Sequence, residues 1–455
     1  MSQEKLSEFV EATARKLGIP GVAVGVWADG RESYATHGVT SVDNPLPVDR
    51  DTLFHLGSVT KTFTATALMR LVAEGKVELD APVRRYVPEL QLAEEQAAAH
   101  MTVLNLLNHT AGLGVRLVVE TGDGDDALAG YVTRMVELDQ IAPPGTRASY
   151  SQAGYNLVGR IIEKVTGLTY ERAVAQSVLE PLGMLNTFYA TDDIMTRRFA
   201  VGHNPDADGK PTVARQWKDT RGNNPGGGIA SSVSDQLRWA RFHLGGGGTV
   251  LPAEVLHGMQ KQTVELHGST LGDAFGICWF LRDVDGVRTV GHGGSGNGQF
   301  SELLLVPERD FAVTVMSNAG PDGVAFNQAV VRWVLEHYLD VVDRDPEPVP
   351  HDPARAQELV GTYDIDAMTL TVRTDGTGLT LEVLIKPELR AASDKELPAD
   401  YPPFDIGLLP GEADEYIVTS GAFKGQRGFF TRDESGAVVG ADLAGRLFSR
   451  VQAAS

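Results

Sequence analysis

The chain is short of thiols, of basic charge and of unbroken apolar sequence, and each shortage removes a class of function. One cysteine, Cys278, in 455 residues excludes an internal disulfide framework and calls for no oxidising compartment. Forty basic residues against sixty acidic ones leave a net charge of −20, which would repel phosphate and argues against nucleic acid and anionic membranes as partners. No window approaches the roughly 20 apolar residues that span a bilayer. The N-terminus mixes charge with Leu6, Phe9, Val10 and Leu17 at helical spacing, without the apolar block of a secretory leader, so a cytoplasmic protein is expected. The eleven histidines form no H-E-x-x-H or H-x-H cluster, and neither a metal nor an organic cofactor is expected. Gly245 to Gly248 reads as a loop without the Lys-Ser/Thr of a phosphate-binding loop, and Gly291 to Gly296 fits G-x-G-x-x-G but runs into the strand-like SELLLV instead of a helix.

What is present is an ordered alternation of elements. After a first helix, GVAVGVWADGRESYATHGV reads as two strands turning at Asp29-Gly30. Helical periodicity then covers 58–74, 102–108, 125–138, 153–166 and 170–178, with breaks at 142–146 and 222–228. Strands return at 287–292, 299–306 and 311–318, and an amphipathic helix follows from Phe326 to about Tyr338. The simplest arrangement pairs the first and last strands in one antiparallel sheet flanked by helices, with the helical middle as a separate lobe: an α+β domain over 1–342. Pro and Asp cluster in a linker over 343–356, and the short alternating runs of 357–455, with a turn at Asp375-Gly376, predict a small all-β barrel.

Within the helical region, FHLGSVTKTFTATALMRLV places Ser58 and Lys61 three residues apart, ahead of a stretch with no charge until Arg70. The plainest role for Ser58 is to cap a helix, and Ser2-Gln3-Glu4-Lys5 repeats the spacing by accident. The surroundings of Lys61 point elsewhere. Residues 62–69 are uncharged on every face, as in a helix buried all round. Burial and the positive end of the helix dipole both lower a lysine pKa, and only about one lysine in a few thousand is neutral at pH 7 without such help. A lysine three residues from a serine shares its helix face and can act as its base. A nucleophile of this kind needs a second proton carrier and a pair of N–H donors for the oxyanion. Tyr150, between a Pro-Gly break and a helix, and His292, at a strand end followed by glycines, are candidates.

Ser58-Val-Thr-Lys61, Tyr150-Ser-Gln152 and His292-Gly-Gly294 occur in that order, and they resemble the Ser-x-x-Lys, Tyr-x-Asn and Lys/His-x-Gly motifs of the serine β-lactamase and penicillin-binding superfamily. LLNHTAGL, PLGM and GGGIASSVSD are similar to it as well, so the resemblance spans about residues 5 to 340. The branch it is closest to holds class C β-lactamases, D-alanyl-D-alanine carboxypeptidases, D-aminopeptidases and β-lactamase-like esterases. The resemblance implies a β-lactamase/transpeptidase-like domain with Ser58 as acylated nucleophile. Lys61 and Tyr150 would share base and acid work, with the order open, and the backbone N–H groups of Ser58 and Ser295 would hold the oxyanion. Gln152 stands where the family has Asn, and His292 where most β-lactamases have Lys, with a pH transition expected near the histidine pKa. His55, Asn108 and His109 read as structural.

The last hundred residues resemble the lipocalin-like module that follows some D-peptidases and peptide cyclases, and Arg446 within it is a candidate for binding a substrate carboxylate. The implied activity is hydrolysis of an ester or amide on a small molecule or short peptide, of carboxylesterase or D-amino-acid amidase/peptidase type. Acyl transfer or peptide cyclisation, β-lactam hydrolysis, and ligand binding without catalysis are the alternatives.

Overall fold

The computed structural model describes residues 3–114, 119–206, 208–245, 248–320, 322–387, 400, 402–411, 413–421 and 423–451. Ser2, Gly246 and Gly247, which figure in the sequence readings, lie outside the described residues.

One eight-stranded antiparallel sheet organises the larger domain. Its order is Arg31–Gly38, Gly21–Ala28, Phe311–Ser317, Gln299–Val306, Val287–Gly296, Phe280–Val284, Gly272–Phe275, Val264–Ser269. The first hairpin therefore meets the last strand, with Val22 opposite Ser317 and Trp27 opposite Ala312, as expected from the chain order. The three strands between 264 and 284 were not foreseen. They are short, lie toward one edge and carry mixed polarity, so they lack the apolar alternation of their neighbours.

Successive residues of a strand face opposite sides, and both sides of this sheet are covered. Val22, Val24 and Val26 pack with Leu6, Val10, Phe326, Val330 and Val334 of the first and last helices of the domain. Ala23 faces the larger core on the other side. Gly25 also faces that side, and a Cβ there would lie 2.9 Å from both Val233 and Leu237, so the helix Val233–Leu244 sits directly on the strand backbone. The helix Thr60–Ala73 is buried at Thr60–Met69 and Leu71, which explains why no polar stripe is visible in its sequence. Two of its threonines are satisfied locally: Thr62 and Thr66 hydroxyls donate to the carbonyls of Val59 and Thr62, both at 2.8 Å.

Residues 340–352 carry no regular secondary structure, and the segment expected to stay irregular through 356 turns helical at Pro353. The cause is local: Asp352 accepts from the Ala354 and Arg355 N–H groups, and Pro353 takes the first helical position. Eight strands from Gly361–Asp364 to Arg446–Arg450 then close an up-and-down barrel. Tyr363, Phe404, Tyr416, Phe430 and Phe448 are among the side chains of its packed core.

The barrel docks on the larger domain through two edges. Thr270 N–H donates to Arg427 O at 3.1 Å, and Arg427 N–H donates to Thr270 Oγ1 at 2.6 Å. The hairpin joining Val438–Leu443 to Arg446–Arg450 turns at Ala444 and Gly445, with φ of +52° and +72°. Gly445 O accepts the Tyr150 N–H at 2.7 Å, and Leu447 N–H donates to Ser149 Oγ at 3.2 Å. The barrel thus forms a wall beside Tyr150. No helix among the described residues is long and apolar enough to cross a membrane.

Candidate active site

Ser58 lies in a 3₁₀ turn, Gly57–Val59, that precedes the helix proper. Neither the turn nor the helix is capped by a side chain, so the capping role expected for Ser58 is not what the residue does. Gly57 has φ of +52°, and a Cβ on it would fall 2.4 to 2.7 Å from the backbone of Ser295. Glycine is needed there on both counts, and the turn is pressed against the strand Val287–Gly296. This leaves the Ser58 hydroxyl free to meet Lys61, whose Nζ lies 3.1 Å from Ser58 Oγ.

Lys61 has no exposed surface. Its Nζ donates to Gln152 Oε1 at 2.5 Å and to Gly226 O at 2.6 Å. Both acceptors are fixed from behind. Gln152 Nε2 donates to Asn223 Oδ1 at 2.8 Å, Asn156 Nδ2 donates to the same oxygen at 3.0 Å, and Asn223 Nδ2 donates to Asp219 Oδ2 at 2.9 Å. Gly226 N–H donates to Asn156 Oδ1 at 3.1 Å. Thr64 Oγ1 donates to Pro225 O, 2.6 Å away, and the half-buried Lys218 donates to Tyr189 O at 2.5 Å and Asn224 Oδ1 at 3.0 Å. Burial pulls the Lys218 pKa down to about 8. Gln152, a substrate-binding candidate by its place in the Tyr-x-Asn-like motif, with its extra methylene putting contact to a substrate amide in question, has its carbonyl committed to Lys61, and the longer glutamine arm bridges the lysine and Asn223.

Tyr150 precedes the helix Gln152–Thr166, which Ser151 caps through Gly154 N–H at 3.3 Å. The phenol is buried beside Ser58, and its ring lies 4.9 Å from Lys61 Nζ. Burial raises its pKa, and the interactions with Ser58 and Arg446 oppose this only in part. Its hydroxyl makes no hydrogen bond of good geometry among the described residues. His109, read as structural, packs tilted beside it with ring centres 4.4 Å apart and accepts the Ser151 N–H at Nδ1, 3.2 Å away.

His292 is fully buried, stacked on Phe280 at 4.2 Å, with its ring centre 6.2 Å from that of Tyr150. Its Nδ1 donates to Gly293 O at 2.7 Å, so Nε2 carries a lone pair, and that atom has no partner among the described residues. Burial, and next the Lys61 charge, push its pKa down to about 3. The pH transition expected from His292 near neutrality is therefore overturned: the ring is neutral throughout the working range. Its NMR ring signals should not shift between pH 5 and 9. Unfolded histidine takes a proton near pH 6.5, which the folded ring refuses until about pH 3. Below pH 6 this one site thus weakens the fold, by about 1.4 kcal/mol per pH unit.

Beyond Gly291 the strand Val287–Gly296 pairs only with Gln299–Val306; Phe280–Val284 covers it no further than Gly291. The freed edge runs past Ser58. A Cβ on Gly294 would sit 1.9 Å from Leu56 O and 2.9 Å from Ser58 N, so Gly294 acts by letting two backbones touch. The exposed Ser295 follows, with its backbone against Gly57. The amides of 58 and 295 are thereby brought to one place, as an oxyanion site requires. From the barrel, the Arg446 guanidinium lies 5.2 Å from the Tyr150 ring centre, which places this residue in the cleft.

A nucleophile turn laid against the free edge of an antiparallel sheet, with a buried lysine one turn on, is the architecture of serine β-lactamases and penicillin-binding proteins. Comparison with known proteins agrees. The profile of the Beta-lactamase family matches residues 6–335, and the chain belongs to that family, a superfamily of serine hydrolases. It is 32% identical over 358 residues to penicillin-binding protein 4 of Amycolatopsis lactamdurans, covering 76% of this chain and 93% of the relative. Among solved structures, SurE superposes with a TM-score of 0.76 at 24% identity over 99% of both chains, and has also been solved with D-Leu. A class C β-lactamase superposes with a TM-score of 0.61 at 23% identity, over 73% of this chain and 97% of its own. The smaller share fits a match without the barrel.

Sequence reasoning missed Asn156, Asp219, Asn223 and Gly226. Asn223 and Gly226 lay in the break GNNPGGG, which reads as a turn and not as a lysine cradle, and Gly226 also opens GGGIASSVSD; Asn156 and Asp219 left no trace.

Proposed function

We propose that the protein is a hydrolase of amidase or peptidase type that cleaves small carboxylate-bearing amides or esters through an acyl-enzyme at Ser58. The observation that carries this is the pair of carbonyl oxygens on Lys61. A neutral amine has two N–H donors and one lone pair. Once Lys61 has given up its proton, Gln152 Oε1 and Gly226 O can hold its two remaining donors and leave the lone pair for Ser58 Oγ, 3.1 Å away. Lys61 then accepts the serine proton as Oγ attacks the substrate carbonyl. The amides of Ser58 and Ser295 stabilise the oxyanion. Tyr150, kept protonated by burial, hands its proton to the leaving group as the carbonyl–leaving-group bond breaks, and the proton on Lys61 restores the phenol. Water repeats the sequence to release the acid. Tyr150 Oη and His292 Nε2, a donor and an acceptor without a hydrogen bond of good geometry among the described residues, would be completed by bound substrate.

With His292 neutral, the fixed positive charge beside the phenol comes from Arg446, which supports a substrate that bears a carboxylate. SurE with D-Leu, a neighbour that shares the barrel, supports an amino-acid-derived substrate, of D configuration. Arg446→Ala is expected to lower kcat/KM at least tenfold for carboxylate-bearing substrates relative to an uncharged ester, since a charge-assisted hydrogen bond contributes about 1.5–3 kcal/mol. Turnover of D- and L-amino-acid amides, short p-nitrophenyl esters, nitrocefin and a peptidyl thioester, with intact-mass detection of the adduct, tests the whole reading. The expected result is hydrolysis with an acyl adduct that Ser58→Ala abolishes. Wild-type protein without turnover or fluorophosphonate adduct refutes it.

A further inference from the structure

Glu302 is an acid with nothing to answer it. It sits on Gln299–Val306 opposite Gly293, its carboxylate turned over that glycine: a Cβ on Gly293 would lie 3.0 Å from Glu302 Oε2. Among the described residues the carboxylate has no hydrogen bond or ion pair. Close packing, opposed by no charge, pushes its pKa up to about 7, yet the residue keeps part of its surface open. A carboxylate packed on one side and open on the other is stabilised in its charged form by a cation at the open side.

The neighbourhood has the shape of a slot. On the same side of the sheet as Glu302 lie Gly291, Gly293 and Ser295 of the adjoining strand, so no large side chain rises between the carboxylate and the free edge that passes Ser58. Phe300 and Leu304, two residues to either side of Glu302, supply apolar walls. Phe300 is held by close approach to Gly320 and Gly323, where Cβ atoms would fall 3.1 and 2.5 Å from its ring. Gly294 turns its other side to the Ser58 nitrogen. Nucleophile and carboxylate are thus separated by one strand, a path on the order of 10 Å.

We propose that this slot is a subsite for a primary ammonium carried on an alkyl arm of the substrate, several bonds from the carbonyl that Ser58 attacks. The inference rests on the hydrolase reading and narrows it: the favoured substrates are amides or esters bearing a lysine- or ornithine-like amine. The glycines leave room for the arm, the two apolar walls hold its methylenes, and the carboxylate gains the partner it lacks.

The p-nitrophenyl esters of 6-aminohexanoic acid and 6-acetamidohexanoic acid test this, with hexylamine as a non-reactive probe. Wild type should favour the free amine at least tenfold in kcat/KM, and in Glu302→Gln that ratio should fall to near one. Hexylamine should perturb the NMR spectrum of the Ser58→Ala protein, and not that of Ser58→Ala/Glu302→Gln. Turnover of both esters without preference in wild type, or with a preference that Glu302→Gln retains, overturns the subsite and leaves the hydrolase reading intact. Absence of turnover with hexylamine binding still dependent on Glu302 overturns the hydrolase reading and leaves the cation site. Because the wild-type ratio decides by itself, the test survives a variant that folds poorly.

Discussion

Lys61→Met is expected to slow acylation of Ser58 by roughly 10²- to 10⁴-fold, the range of a general base. Methionine keeps the length of the stem and removes the nitrogen alone. Gln152 Oε1 and Gly226 O then lose their donor, and an unsatisfied buried acceptor costs about 1–3 kcal/mol, so the melting temperature should fall by several degrees without loss of fold. The measurement is the single-turnover rate of adduct formation followed by intact mass, with circular dichroism as the control for folding. A folded variant that acylates within threefold of wild type would remove Lys61 from the reaction and hand the base role to Tyr150. Lys61→Arg should fare no better, because a guanidinium stays protonated and cannot receive the serine proton.

Gly294→Ala is expected to cost at least 10²-fold in kcat/KM, without touching any group that exchanges a proton. The added Cβ would stand 1.9 Å from Leu56 O, 2.7 Å from Ser301 Oγ and 2.9 Å from Ser58 N. Leu56 O and Ser58 N are backbone atoms that cannot swing aside, so strand and nucleophile turn must separate. Separation breaks the bond from Ser301 Oγ to Leu56 O, now 2.7 Å, and spoils the convergence of the two oxyanion amides. A displacement of about 1 Å in an active site costs on the order of 10²-fold, and overpacking adds about 1–3 kcal/mol of destabilisation. Gly293→Ala is the comparison. Its Cβ meets only the movable end of Glu302 at 3.0 Å, so it should melt closer to wild type. Steady-state kinetics and thermal melts of the two proteins check this, and equal kinetics for Gly294→Ala and wild type would mean that the strand does not shape the oxyanion site.

The two predictions mark what could be read in advance. Ser58 and Lys61 were legible because their relation is local: three residues along a helix is one face, and an uncharged stretch announces burial. Tyr150 and His292 stood out by position, one after a Pro-Gly break and one at a strand end. The Lys61 cradle was not legible. Gln152 is 91 residues from Lys61 and Gly226 is 165 away, and nothing in GNNPGGG says which side chain its carbonyl will meet. Gln152 read as a tolerated swap for Asn, and only the structure shows that both ends of its amide are used, one on Lys61 and one on Asn223. The charge state of His292 failed for a related reason: a histidine read from sequence carries its solution pKa, whereas burial beside Lys61 moves it to about 3.

The amino-acid sequence by itself determined the antiparallel pairing of first and last strands, the separate barrel, and the contact of Ser58 with Lys61. Those features follow from periodicity and short-range geometry, which the order of residues encodes directly. Tertiary structure alone decided that Gly226 and Gln152 cradle Lys61, that Arg446 crosses from the barrel to the phenol, and that Glu302 stands above Gly293 with no partner among the described residues. Each of these depends on which distant segments share a low-dielectric space, and burial, not residue identity, sets how strongly they interact there.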